Sequence, residues 1–369
     1  MNSSHGISHV ERMNCEHAVD RRTAVKGMIA LAASTATRSL AVEQSPRVTG
    51  MGIVIYDFNF RRRWMRQQDR RQDLFEPLTF LTHCHGLGAG GIQANLGVLQ
   101  PAAMRALRDF AERHDLFIDA IVRPPKDEGD VDRFEAEIRT ARDVGVQAVR
   151  TTIIPGRRYE RFKTLDEFRE FERRGEAMLR LAIPTLEKYR VPFAVENHKD
   201  QRIDERVALF ERLSCEFIGA CVDTGNSIAL LDDPYEAVEA LAPFAMTVHL
   251  KDQSLAMYDQ GFLLGDVPLG QGSLDLPRMV RSIRKLKPEI RFALELITRD
   301  ALRVPCLTKG YWESMPETPA DRLAAILRLI TDNPSRAQEV SVLSEEEQVR
   351  VETANVLASL KYAGQQLGL

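Results

Sequence analysis

The chain has no CxxC pair and no zinc-finger spacing among its five cysteines, Cys15, Cys84, Cys215, Cys221 and Cys306. A disulfide scaffold and a cysteine-based zinc module are therefore excluded. Its one N-terminal apolar run, Gly27–Ala33, falls far short of the roughly 18 apolar residues of a spanning helix, so stable membrane insertion is not expected. The formal net charge is -3, too small to create a global field that would draw in nucleic acid or an anionic membrane. Histidine is scarce: there are eight, and His5, His9 and His17 lie in the first 45 residues. A dinucleotide fold would place a glycine-rich turn after its first strand, but the chain there reads Asp57-Phe58-Asn59-Phe60-Arg61-Arg62-Arg63. What remains is an ordinary globular composition, 44% hydrophobic and 28% charged.

The N-terminus carries Arg21-Arg22-Thr23-Ala24-Val25-Lys26, then the apolar run, then small residues through Ala41. This order matches a basic n-region, an h-region and a small-residue cleavage site at Ser39-Leu40-Ala41. The paired arginines resemble a twin-arginine signal, although Asp20 and the Ala24-Val25 pair depart from it. Residues 1–45 are accordingly read as leader and linker, with export to the periplasm expected. A cytoplasmic chain with an Ala-rich amphipathic helix is the alternative.

From Met51 onward, short apolar runs alternate with longer segments of helical period, the pattern of βα units. Strands are expected near Gly52–Phe58, Leu78–His83, Leu116–Val122, Val146–Ile153, Val191–Val195, Phe217–Val222, Ala245–Leu250 and Ile290–Leu296. Eight such units predict a (β/α)8 TIM barrel over residues 46–335. A C-terminal helical extension is expected over 336–369, with a helix at Ser344–Leu360 packing on the barrel exterior or on a second subunit. That leaves a homo-oligomer open.

Four of the expected strands end in Glu196, Asp223, His249 and Glu295. Active sites of such barrels are built at the C-terminal strand ends. Three carboxylates and an imidazole delivered there make a ligand set for one divalent ion, Mn2+, Mg2+, Co2+ or Zn2+. The motifs Val195-Glu196-Asn197-His198, Val222-Asp223-Thr224-Gly225-Asn226, Val248-His249-Leu250-Lys251-Asp252 and Leu294-Glu295 resemble those of the xylose isomerase-like TIM-barrel superfamily. Within it they are most similar to the sugar phosphate isomerase/epimerase group, over roughly Met51 to Arg299. The resemblance implies proton transfer on a sugar or polyol, with Glu196 and Glu295 doubling as metal ligands and acid/base pair. Many isomerases of the group have histidine where this chain has Asn226, which can bond a hydroxyl but cannot shuttle a proton at neutral pH. The superfamily's endonuclease IV-like members use additional histidines, which this chain lacks, so nucleic acid is not an expected partner.

His198 and Lys251 lie two residues beyond Glu196 and His249, on the same side of an extended strand, and are candidate catalytic residues. His83 and His85 are candidate substrate contacts at the end of the second strand, as are Asn226 and Arg299. The glycines that follow, Gly86 to Gly91, read as a turn. The expected activity is metal-dependent isomerisation or epimerisation of a keto-sugar, sugar acid or polyol through an enediolate. The alternatives are a lyase or dehydratase on a 3-keto-glycoside, and a non-catalytic sugar-binding barrel.

Overall fold

The computed structural model describes residues 47–369 apart from 72, 154 and 155; the leader expected in residues 1–45 lies outside the described residues. Strands run in the order β1 (Gly52–Val54), β2 (Gly91–Ala94), β3 (Phe117–Ile121), β4 (Val149–Thr151), β5 (Phe193–Glu196) and β6 (Ile218–Asp223). They continue with β7 (Ala245–Leu250), β8 (Asp252–Tyr258), β9 (Gly261–Val267), β10 (Phe292–Leu294) and β11 (Leu302–Val304). Eight of them close a barrel in the order β1-β10-β7-β6-β5-β4-β3-β2, every contact parallel. The fold is a (β/α)8 barrel. The other three form an antiparallel sheet, β11-β9-β8, in which β8 and β9 lie between the seventh and eighth barrel strands and β11 follows the eighth.

The second strand differs from its expected position. Residues 77–86 form a helix, because Pro77 sits in its first turn and the Glu76 carboxylate accepts from the Leu78 and Thr79 amides. Phe80, Leu81 and Cys84 then share a buried helical face. The strand is instead Gly91–Ala94, beginning at the last residue of the stretch expected to turn. A Cβ on Gly91 would lie 2.4 Å from the Phe117 ring and carbonyl, so glycine is what lets β2 approach β3.

Helices Pro101–Arg113, Val131–Val144, Leu165–Tyr189, Ile203–Leu213, Pro234–Leu241 and Leu276–Leu286 follow the next strands. Alternation along the strands sends Val195, Val222, Val248 and Leu294 outward, all fully buried. Each such side chain contributes about 1.5–3 kcal/mol on leaving water. The residues that follow them turn to the barrel interior.

The last helix, Glu345–Tyr362, packs against β10 and the helix Asn59–Gln68. Its buried Glu352 accepts from the backbone amides of Phe60 (2.7 Å) and Arg61 (2.9 Å), capping the helix that follows β1. Beyond it, the Leu369 carbonyl accepts from Thr49 Oγ1 at 2.6 Å, just before β1. The helix thus packs beside the seam where the last barrel strand pairs with the first. Among the described residues no helix is long and apolar enough to cross a membrane.

Candidate metal centre and active site

Strand register assembles the quartet. Asp223 and His249 are Cα partners across β6 and β7, with a register irregularity at Ala220/Cys221 just before them. Glu196 partners Cys221, two residues before Asp223 and so on the same face. Ala293 partners His249, which puts Glu295, two residues on, on that face as well. One ligand atom from each of the four lies within 4.8 Å of the others.

The imidazole shows what the cluster suits. His249 Nε2 is 2.7 Å from Gln93 Oε1 on β2, which makes Nε2 the protonated nitrogen. Nδ1 therefore presents its lone pair to oxygens of Glu295 (3.5 Å), Glu196 (3.7 Å) and Asp223 (3.9 Å). Buried His249 Nδ1 has no hydrogen-bond partner, and buried Asp223 Oδ2 has only its ion pair with Lys251. Lone pairs converging on one point in a dry interior need a positive charge there, and a divalent cation meets that need with this donor set. Burial opposes protonation of the imidazole, but Cys221 and Glu295 beside it outweigh burial and raise the His249 pKa well above its ordinary value.

Two buried cations bracket the carboxylates. Arg150, inside β4, places Nε 2.6 Å from Glu196 Oε2, and its Nη2 contacts the same oxygen. Lys251 Nζ stands 2.8 Å from Glu295 Oε2 and 3.3 Å from Asp223 Oδ2. Burial alone would raise all three carboxyls. At Glu295, Lys251 and His249 override it and hold the group well below the carboxylate range, and at Glu196 Arg150 leads in lowering it. At Asp223 burial prevails, and the carboxyl is pushed up to about 6. Of the four, only the Glu295 side chain keeps any exposed surface, 5%.

Asn226 links this centre to its surroundings. Its Nδ2 donates to Glu196 Oε1 at 2.9 Å, while its Oδ1 accepts from Lys251 at 3.3 Å and from Lys199. Arg299 reaches the site indirectly, through Asp266 Oδ2 at 3.2 Å; Asp266 in turn is 3.7 Å from Lys251. His198 is half-buried beside Glu196, with Nδ1 3.1 Å from the Gly156 carbonyl, and burial lowers its pKa to about 4. Lys251, Asn226, His198 and Arg299 are thus brought to the quartet.

His83 and His85 are not. Both ride on the helix 77–86, where His83 packs edge-on against Phe58, 4.9 Å between ring centroids, and His85 packs on His114 at 4.3 Å and Phe110 at 5.8 Å. Their expected place at a strand end fell with the misplaced second strand. Arg158 is also spent elsewhere, buried against Glu205 and the Ser314 carbonyl.

Gln93, Asp119, Arg150, Lys199 and Asp266 were absent from the sequence candidates. Asp119 in β3 accepts from Thr247 at 2.6 Å, two residues before His249, and burial lifts its pKa to about 6. Asp119 and Arg150 carried a legible signal, a single charge inside an apolar strand run. Asp266 carried none, because it comes from the antiparallel sheet.

A family model described as xylose isomerase-like TIM barrel matches residues 81–328. The chain belongs to that family. Among solved structures, it is similar to 3-keto-D-glucoside 4-epimerase, YcjR, from E. coli, with TM-score 0.50 and 12% identity, over 76% of this chain and 99% of that one. The probable 3-DHS dehydratase AsbF from Bacillus anthracis gives TM-score 0.50 and 13% identity, over 76% and 98%. At such identities the likeness concerns the fold alone. A curated relative, 3-oxo-isoapionate decarboxylase of Pectobacterium atrosepticum, is 28% identical over 121 residues. That match takes in 32% of this chain and 44% of the relative, so the chain spans less than half of the length of the curated protein it matches.

Proposed function

We propose that this chain is a metal-dependent enzyme that moves a proton beside the carbonyl of a keto-sugar or sugar acid, as an isomerase or epimerase. The observation that carries the reading is the convergence of three carboxylates on the unpartnered Nδ1 of His249. Glu196, Asp223, His249 and Glu295 would hold the ion, which when bound polarises a substrate carbonyl and acidifies the adjacent C–H. Glu295 takes the role of general base, being ionised and the one ligand with exposed surface. Lys251 stabilises its carboxylate from 2.8 Å and offers a positive charge to a developing enolate oxygen. Glu196, its orientation fixed by Arg150 and Asn226, is ionised at the outset; it returns a proton on the other side after taking one from solvent, while Glu295 releases its own to solvent. Asn226 orients and does not shuttle protons.

A second reading, lyase chemistry, is favoured by the decarboxylase relative, since loss of CO2 beside a carbonyl generates the same kind of enolate. Metal analysis and solvent exchange test the main reading together. The Mn2+-loaded protein in deuterated water should incorporate deuterium beside the carbonyl of a keto-sugar substrate. Glu295→Gln should reduce exchange at least about a hundredfold, the lower range for loss of a general base, with the fold retained by circular dichroism. Exchange that survives this substitution removes Glu295 from the acid/base role. Release of CO2 or of a β-substituent selects the lyase reading.

A further inference from the structure

Five lysines and arginines are buried among the described residues: Arg150, Arg158, Lys199, Arg206 and Lys251. Four of them face a carboxylate, Arg150 on Glu196, Arg158 on Glu205, Arg206 on Asp200 and Lys251 on Glu295. Lys199 is the exception. It is 3% exposed, and its Nζ donates to the neutral amide oxygen of Asn226, an oxygen it shares with Lys251. An ammonium has three donors, and no carboxylate lies within ion-pair distance of this one; burial and the neighbouring Lys251 bring its pKa down to about 8, while Asp223 and Asp266 attract it from farther off. The same Asn226 donates to Glu196, so Lys199 stands one side chain away from the quartet.

We infer that Lys199 anchors a carboxylate of the substrate, making the site selective for a sugar acid over the corresponding neutral sugar. This rests on the enolising reading above and narrows it to one substrate class. A single positive charge with no carboxylate at ion-pair distance suits a carboxylate better than a phosphate, which brings close to two negative charges and three acceptor oxygens. Lys199 is thus a specificity-determining residue.

Titration calorimetry of the Mn2+-loaded full chain with D-gluconate and with sorbitol tests this, because the two differ in one terminal group, carboxylate against CH2OH. Gluconate is expected to bind at least about tenfold tighter, the scale of one charge-assisted hydrogen bond. In Lys199→Met that preference should fall to about twofold or less, with sorbitol affinity unchanged, for loss of the same bond. Lys199→Gln keeps a donor for Asn226 and serves as the second variant if the methionine variant does not fold; it too should lose the preference. Equal affinities in the wild type, binding of neither compound, or a preference that survives both substitutions overturns the assignment. Deuterium exchange separates this from the parent reading. Exchange on D-fructose without any gluconate preference removes the anion site and leaves the enolising chemistry. A Lys199-dependent preference without exchange on any keto-sugar does the reverse.

Discussion

The far nitrogen of His249 is held by Gln93 from across the barrel, and that contact decides which lone pair faces the carboxylates. Such outer contacts typically govern metal affinity by 10–100-fold. Gln93→Leu should therefore weaken Mn2+ binding by roughly that factor, measured by competition with a chromogenic chelator, while the thermal melt of the metal-free protein changes little. Unchanged affinity would mean that the tautomer is set some other way. The ligands themselves were legible as carboxylates and an imidazole at the ends of apolar runs. Their partners were not, because Gln93 and Arg150 lie 156 and 46 positions from the residues they bond. A lone charge in a strand announces that it has a partner and says nothing of which one.

Periodicity located seven of the eight barrel strands and the outer helices, since each buries a long face whose apolar spacing shows. It failed at β2, four residues long with a glycine at its start, which has almost no periodic signal to read. The neighbouring helix took its place because Leu78, Phe80 and Leu81 satisfy both patterns over so short a span. The glycine is nonetheless demanding. Gly91→Val should destabilise the protein by at least about 2 kcal/mol in denaturant titration, at an unchanged slope, because the added Cβ meets the Phe117 backbone. The last helix adds a pH dependence. Burial pushes the Glu352 carboxyl up to about 7, although the Arg61 and Phe60 amides pull it down. A carboxyl raised on folding contributes stability that is full below its unfolded value, near 4.5, and is lost as pH climbs through 7. The stability difference between wild type and Glu352→Gln should thus shift against the wild type by up to about 3 kcal/mol from pH 4 to pH 8. A flat difference across that window would show that Glu352 stays in one protonation state.

At the scale of the whole molecule, the barrel brings four successive strand ends to one mouth, and the antiparallel sheet of β8, β9 and β11 supplies Asp266 beside it. Export through a twin-arginine-type leader is proposed from residues 21–26 alone. A reporter fused after residue 45 should reach the periplasm of a host with that pathway, and Arg21→Lys with Arg22→Lys together should retain it in the cytoplasm. Retention of the unaltered fusion would assign these residues another purpose. The amino-acid sequence by itself determined the barrel and its strand-end quartet of carboxylates and imidazole, because burial periodicity and strand-end position are properties of contiguous residues. Only the tertiary structure decided which histidines belong to the site, how the carboxylates are paired and that Lys199 is not. Those outcomes depend on register around a closed sheet, where side chains far apart in the chain compete for the same few ångströms of dry space.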